Sequence, residues 1–307
     1  MSSLVINSTI EKVKKVAITG ASGFLGTYII NMNVTFNIVE LDLLCLSVAE
    51  INFSEFDAVL HLAALVHQMK GADDTLYTKI NRDLAFDVAK KAKSHGVKHF
   101  ILMSTAKVFD ESNRPDALLN ENTVCNPSDS YGKSKYEAEN LVASLNDKTF
   151  KVAIIRSPLV YGAGVKGNML NLLKLVDKFS LLPFGGIENR RTLVYIANLA
   201  ALIEQIIKKE VSGIFIAGDR FPLSTTDLVT KIGSKMRKKM FLFKIPRMLL
   251  KIFCKIKPAL YTRLFGSFVL NTSQTNARLE FVPPFSTDDG ISEMVDWYDS
   301  IKNNGLY

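Results

Sequence analysis

Tyr131 and Lys135, in the run Tyr131-Gly132-Lys133-Ser134-Lys135, are four residues apart. On a helix that step stacks both side chains on one face. A phenol ordinarily loses its proton near pH 10, and a neighbouring ammonium favours the phenolate. The pair could then accept a proton from a hydroxyl near neutral pH. Taken alone, Tyr and Lys at this spacing more often mark a solvated helix. Ahead of them Met103-Ser104-Thr105 ends a predicted strand. Thr105 there could hydrogen-bond the same oxygen as Tyr131, or simply end the strand as a β-branched residue.

A second constellation lies nearer the start of the sequence. Thr19-Gly20-Ala21-Ser22-Gly23-Phe24-Leu25-Gly26 follows a predicted strand and opens a predicted helix. Glycines at that spacing allow a sharp turn, close approach of the backbone to a pyrophosphate, and tight packing of helix on strand. The helix N-terminus offers its free N–H groups to the anion. A glycine turn without a ligand is the plainer alternative, but the strand before and the helix after are the context a dinucleotide site requires. Asp42 closes the next predicted strand, where a carboxylate accepts hydrogen bonds from ribose hydroxyls and repels a 2′-phosphate. It favours NAD over NADP, with NADP still open. A bound nicotinamide ring would add positive charge beside Tyr131 and, with the Lys135 ammonium, would favour the phenolate by roughly one to three pH units. Lys135 is also long enough to hold the ribose.

These residues need a scaffold, and the first half of the chain supplies the pattern of one. Strands are predicted at Val16 to Thr19, Asn37 to Leu41, Ala58 to Leu62, His99 to Ser104 and Val152 to Arg156, alternating with helical periodicity. The clearest helices are Asn81 to Ser94 and Tyr131 to Leu145. This is an α/β chain with a doubly wound parallel sheet, a Rossmann arrangement. The link from the second strand to Asp57 is short, so the strand and helix usual there are expected to be shortened or missing. Beyond Pro158 glycines and prolines break the chain into loops and short helices. A dinucleotide-binding domain is expected over residues 1–160 and a smaller, mainly substrate-binding domain over 161–307. A helix at Ile196 to Lys208 and a β-rich run at Gly213 to Ala217 should return to the first domain, and Gly290 to Ile301 should form a last amphipathic helix.

Composition bounds the rest. The 307 residues are 48% hydrophobic and 22% charged, a globular balance that excludes disorder as the main state. Three cysteines, at 45, 125 and 254, form no CxxC pair and point to a reducing compartment, with the cytoplasm as the expectation. The first fifteen residues lack the apolar core of a secretory signal. His61, His67, His95 and His99 have no metal-ligand spacing and read as structural, so no metal is expected. The net charge of +8 is local: residues 228–279 hold twelve Lys or Arg and no acid, leaving 26 basic against 30 acidic residues elsewhere. That excludes a general nucleic-acid binder and points to an anionic partner at one segment. Lys244, Arg247, Lys251 and Lys255 fall on one helical stripe, with Met248, Leu249, Ile252, Phe253 and Ile256 across from them. Such a helix either docks on anionic lipid headgroups or packs its apolar side on its own domain.

Together these residues resemble the extended short-chain dehydrogenase/reductases, specifically the NAD-dependent nucleotide-sugar epimerase/dehydratase family, over nearly the whole chain. The resemblance also rests on His61-Leu62-Ala63-Ala64, Asn81, Arg156-Ser157-Pro158-Leu159-Val160-Tyr161-Gly162 and Arg190-Arg191-Thr192-Leu193-Val194-Tyr195-Ile196. It implies Tyr131 as acid/base, Lys135 as its electrostatic support and Thr105 as the hydroxyl partner. It further implies a dinucleotide held by Gly20, Ser22, Gly23, Phe24, Leu25, Gly26, Asp42, Leu62, Ala63, Ala64, Asn81, Ser104, Tyr131, Lys135 and Pro158. Asn168 and Arg191 would bind a sugar nucleotide, with Arg263 a second pyrophosphate contact, and Phe268 would lie near the sugar. A homodimer through the helices at 81–94 and 131–145 is the family expectation.

The departures narrow the reaction. The family's 4,6-dehydratases carry an Asp-Glu pair after the threonine, and Ala106 and Lys107 stand there instead, which disfavours dehydration. Ser104 to Val108 and Lys166-Gly167-Asn168 look most like a UDP-glucose 4-epimerase-like subgroup that also contains 4-ketoreductases of surface-polysaccharide pathways. The expectation is a 4-epimerase of a UDP-hexose or UDP-N-acetylhexosamine. The alternatives are a 4-ketoreductase acting on a 4-keto-6-deoxy nucleotide sugar and a dinucleotide-binding protein without catalysis.

Overall fold

The structure, a computed structural model, describes residues 13–32, 35–66, 73–109 and 118–305, and of Arg247 the backbone alone. His67 and the first twelve residues lie outside the described residues. In chain order come β1 (Lys15–Thr19), α1 (Phe24–Asn31), β2 (Asn37–Leu41), β3 (Ala58–His61) and α2 (Asp74–Tyr77). The last continues through a π-helical stretch, Thr78–Asp83, into α3 (Leu84–Ser94). Then follow β4 (His99–Thr105), β5 (Leu118–Leu119), α4 (Ser130–Ala143), β6 (Lys151–Ser157), β7 (Leu159–Tyr161), α5 (Gly167–Lys178), β8 (Leu181–Leu182), β9 (Leu193–Tyr195), α6 (Ile196–Lys209) and β10 (Gly213–Ile216). The chain ends with α7 (Thr225–Lys235), β11 (Phe241–Leu242), α8 (Arg247–Ile256), α9 (Pro258–Phe265), β12 (Val269–Leu270), α10 (Ser273–Leu279) and α11 (Thr287–Asn303).

Val16-Ala17-Ile18 and Val152-Ala153-Ile154-Ile155 are apolar at every position, the mark of strands covered on both faces. Both lie in a six-stranded sheet of order β10-β6-β4-β3-β1-β2 whose five pairings are all parallel. One face is covered by α1 and α6, through Ile29, Leu199, Ile203, Ile206 and others. The opposite face is covered by α3 and α4, through Val88, Ala89, Ala92, Ala138 and Val142. The expected doubly wound sheet is therefore present. Residues 42–57 form one 3-10 turn, Val48–Glu50, capped by Ser47, and no strand. The missing unit expected from the short link is thus absent, and β2 is the sheet edge. One helix begins earlier than the sequence pattern suggested: helical backbone runs from Asp74, and the widened π turn holds Asn81 buried.

Strand order reverses between β1 and β3, since β2 lies to one side and β3, β4 and β6 to the other. In open α/β sheets the crevice beyond the carboxyl ends at such a reversal is where ligands bind. A further core, built on Tyr161, Met169, Leu173, Val176, Tyr195, Val229, Ile291 and Val295, lies beyond the sheet. Phe24, Leu25 and Tyr28 of α1 pack against that core. β10 pairs with β6, and α6 lies in the sheet's own core.

Candidate active site

Two sequence neighbourhoods meet at the reversal point. Gly20 has φ +72°, and a Cβ on it would stand 2.5 Å from the backbone nitrogen of Ala63. Only glycine allows the loop after β1 and the loop after β3 to approach so closely. A Cβ on Gly26 would likewise fall 2.5 Å from the Gly20 carbonyl oxygen, so α1 rides directly on the turn. Gly23 differs, because a Cβ there would meet only the Gly20 oxygen, at 3.1 Å, and otherwise project into open space. No side chain among the described residues caps α1, whose N-cap is Gly23. Free N–H groups facing an open cradle fit a pyrophosphate. Ser22 and Gly23 are exposed there, while the Phe24 and Leu25 side chains pack inward between the cores.

Asp42 follows Leu41, the register partner of Thr19, which places it at the sheet edge beside Gly20. It is exposed, and its Oδ1 accepts from the Leu44 amide at 2.9 Å. Leu62, Ala63 and Ala64 form the opposite wall, and the Leu62 amide donates to the Thr19 carbonyl at 3.1 Å. These positions suit a dinucleotide, with a carboxylate at the adenosine ribose. A bound NAD would supply a hydride acceptor and a positive ring at the far end of the crevice.

At that far end α4 meets the end of β4. Asp129 caps α4, accepting from the Gly132 amide at 2.7 Å, and Lys107 donates to the same carboxylate. A Cβ on Gly132 would stand 2.6 Å from the Lys107 carbonyl oxygen. The glycine after Tyr131 is therefore what lets the helix lie against the turn carrying Thr105. Both contacts bring Thr105 to Tyr131. Burial pushes the Tyr131 phenol up to about 12, the Thr105 hydroxyl opposes this by hydrogen bonding, and Asp129 adds to the rise. This rise belongs to the protein alone, whereas the fall expected from the sequence included the charge of a bound nicotinamide ring. The reason is physical: removal from water disfavours a phenolate more than the neighbours in the protein favour it.

Lys135 is 1% exposed and makes no hydrogen bond or ion pair with the described residues. Burial holds its ammonium down to about 8, and Glu139, one turn further along α4, acts in the opposite sense. His61, beneath the same site, is pushed down to about 3 by burial first and by the charge of Lys135 second. Its ring is neutral at pH 7, with Nδ1 2.9 Å from Thr19 Oγ1 and Nε2 unpartnered among the described residues.

Glu139 belongs to a buried cluster that the sequence reading missed. Arg156 on β6 donates to it through Nε, at 3.1 Å, and Nη2, at 2.8 Å, and Ser104 on β4 donates to its other oxygen. Tyr131, Lys135 and Glu139 recur at four-residue steps on one face of α4, which was a usable signal; their partners on two strands were not visible in one sequence. Ser104, expected to serve the dinucleotide, thus directs its hydroxyl to Glu139. Asn81 likewise works inside the protein: Oδ1 accepts from the Leu65 amide at 2.7 Å, and Nδ2 donates to the Leu65 carbonyl and to Ser134, both at 3.0 Å. It ties the loop after β3 to α4 and so sets the width of the crevice. Pro158 is half-buried directly after β6, on the same edge.

The expected substrate residues lie on the second core. Asn168 is exposed in the first turn of α5, just after Gly167 at φ +63°. Arg191 donates from Nη1 to the carbonyls of Thr262, at 3.2 Å, and Gly266, at 3.1 Å, and its guanidinium lies 5.7 Å from the centroid of the Phe268 ring. Arg263 occupies the last turn of α9, so both expected arginines converge on the end of one helix. Phe268 is buried beneath Arg191.

Residues 16–218 match the model of the NAD dependent epimerase/dehydratase family. The chain belongs to that family. Among its relatives, a Vibrio cholerae UDP-glucose 4-epimerase is 34% identical, over 91% of this chain and 94% of that one. An N-acetyl-alpha-D-glucosaminyl-diphospho-ditrans,octacis-undecaprenol 4-epimerase of Escherichia coli O157:H7 is 27% identical, over 73% of each chain. The fold is shared with UDP-glucuronic acid 4-epimerase from Bacillus cereus in complex with NAD, at TM-score 0.74 and 18% identity over 94% of this chain and 99% of that one. This family member is thus an NAD-dependent enzyme of the epimerase/dehydratase class.

Proposed function

We propose that the protein is a cytoplasmic 4-epimerase of a UDP-linked hexose or N-acetylhexosamine. The observation that carries the reading is the meeting of Thr105, Tyr131 and Lys135 at the end of a crevice whose glycine turn fits a pyrophosphate. Residues up to about 160 would hold the dinucleotide and those beyond mainly the sugar nucleotide, with a homodimer formed through α3 and α4. The 34% identity to a named UDP-glucose 4-epimerase over nearly the full chain supports the substrate class.

Tyr131 would take the proton of the sugar C4 hydroxyl as hydride leaves C4, and would return it to the 4-keto oxygen as hydride comes back to the opposite face of C4 after the ring has turned over. The Thr105 hydroxyl donates to the same oxygen. Lys135, one turn further along α4, would favour the phenolate by its charge and would hold the nicotinamide ribose. Tyr131 is a protonated phenol at neutral pH in the protein alone, so its activation depends on positive charge brought by the bound cofactor. Arg191 and Arg263 would clamp the diphosphate while the sugar moves. Dehydration has no acid pair to run it, because Ala106 is buried and Lys107 is tied to Asp129.

The test is incubation of purified protein with UDP-glucose or UDP-N-acetylglucosamine, with and without added NAD, followed by chromatography of the C4 epimers. Interconversion with no net cofactor consumption is expected. A requirement for stoichiometric reduced cofactor and a 4-keto sugar would replace the reading with a 4-ketoreductase. A second reading keeps the chemistry but attaches the sugar diphosphate to a polyprenol, as the name of the Escherichia coli relative describes for that protein. It is favoured by the position of Arg191, whose guanidinium is hydrogen-bonded to the surface helix α9.

A further inference from the structure

The middle of the basic segment forms a surface hairpin of α8 and α9 in which no described residue is fully buried. Its own packing is an aromatic trio: Phe253 lies edge-on to Tyr261 and Phe265, and those two rings stack at 5.2 Å. Phe253 and Leu250 are half-buried on α8. Met248, Leu249, Ile252 and Ile256 form an exposed ridge beside Phe253, with Met248 71% and Ile256 67% exposed. Among the described residues the ridge is left exposed, and of the apolar side read from the sequence Phe253 alone packs against other rings. Lys251 and Lys255 line one edge of the ridge, and neither they nor Lys257 has an acidic partner among the described residues. No Asp or Glu occurs anywhere in residues 228–279.

An exposed apolar ridge beside unpaired lysines complements a surface that is apolar just beneath a negatively charged layer. We propose that the α8–α9 hairpin docks this enzyme on the surface of an anionic lipid bilayer, with Met248, Leu249, Ile252 and Ile256 entering the interface and Lys251 and Lys255 facing the headgroups. A protein partner with a matching groove would need a dense acidic rim around an apolar slot, whereas an anionic bilayer presents both layers everywhere. The hairpin is also stitched to the substrate lobe. Thr262 and Gly266 carbonyls hold Arg191, and the Leu264 carbonyl accepts from Thr225 Oγ1 at 2.6 Å. Docking would therefore bring the arginines of the diphosphate site close to the membrane plane.

The test uses the full-length protein with sedimented vesicles, one set zwitterionic phosphatidylcholine and one in which about a third of the lipid is phosphatidylglycerol. The protein is expected to pellet with the anionic set only and to be released at about 1 M salt, where screening shortens to about 3 Å. Ile252→Glu, and separately Lys251→Glu with Lys255→Glu, should each weaken pelleting at least ~10-fold while turnover of a soluble sugar nucleotide is unchanged. The lysine variant alters exposed side chains alone and guards against a folding defect in the other. Protein remaining in the supernatant with anionic vesicles overturns the proposal, as does pelleting that neither variant alters. Loss of oligomer mass in light scattering of Ile252→Glu, without vesicle binding by the parent, would assign the ridge to a second copy instead. Vesicle binding by a protein inactive on nucleotide sugars would remove the proposed function and leave the docking in place.

Discussion

Replacing Lys135 by Met should make the protein more stable and catalytically poor at the same time. The side chain is buried and its ammonium sits at about 8 instead of the ordinary 10.5. At ~1.4 kcal/mol per pH unit, that difference corresponds to about 3 kcal/mol. The sign follows from proton counting. Below about pH 8 the lysine is charged in both folded and unfolded chains, and the fold carries the full cost of the buried charge. Between about pH 8 and 10.5 the folded protein has lost the proton while the unfolded chain retains it, so stability rises with pH. Lys135→Met keeps the length and removes the charge. The variant is predicted to gain up to about 3 kcal/mol at pH 7, or ~5 °C in Tm for an unfolding entropy of ~2.1 cal/mol/K per residue. The gap should narrow at pH 9 and above, and turnover should fall by orders of magnitude. Urea and thermal unfolding of parent and variant at pH 7, 8 and 9.5 measure this. A variant less stable than the parent at pH 7, by an amount that does not change with pH, would refute the reasoning, because it would show the ammonium to be well satisfied where it lies.

Three further outcomes test the supports around it. Glu139→Leu should cost about 3–5 kcal/mol by leaving the Arg156 charge buried without a counter-ion, while Glu139→Leu with Arg156→Met recovers most of it; a double-mutant cycle that includes Arg156→Met alone, from urea midpoints, reads the coupling. Gly132→Ala places a Cβ 2.6 Å from the Lys107 carbonyl oxygen, and the strain should separate Tyr131 from Thr105. Its kcat should fall at least ~10-fold with dinucleotide affinity nearly unchanged, as steady-state kinetics beside cofactor titration will show. Asp42→Ala should raise the affinity for NADP relative to NAD by roughly 10-fold, by removing the carboxylate that repels a 2′-phosphate, and calorimetric titration with both cofactors checks it.

What could be read in the sequence was what is local in it. The turn from Gly20 to Gly26 and the stack of Tyr131 on Lys135 each lie within two helical turns, so spacing alone specifies their geometry. The absent strand between β2 and β3 was legible because sixteen residues, 42–57, leave little room for a strand and a crossover helix. Contacts between distant elements were not legible. The role of Glu139 depends on Ser104 and Arg156 on two other strands, and that of Gly132 on a carbonyl of the turn after β4. Asn81 was assigned to the cofactor because its position in the family's pattern says nothing of where its amide points. The structure turns it toward Leu65 and Ser134. The burial of Tyr131 was not legible for a related reason, since spacing shows which charges are near but not how completely water is removed.

The central claim is that Tyr131 moves the proton of the reacting hydroxyl beside a dinucleotide that the glycine turn binds independently. Its most direct test is turnover of Tyr131→Phe on the nucleotide sugar, measured together with the dissociation constant for NAD. Turnover lower by ~10²–10⁴-fold with cofactor affinity within a few-fold of the parent is the predicted result. A Tyr131→Phe protein that keeps its turnover would contradict it.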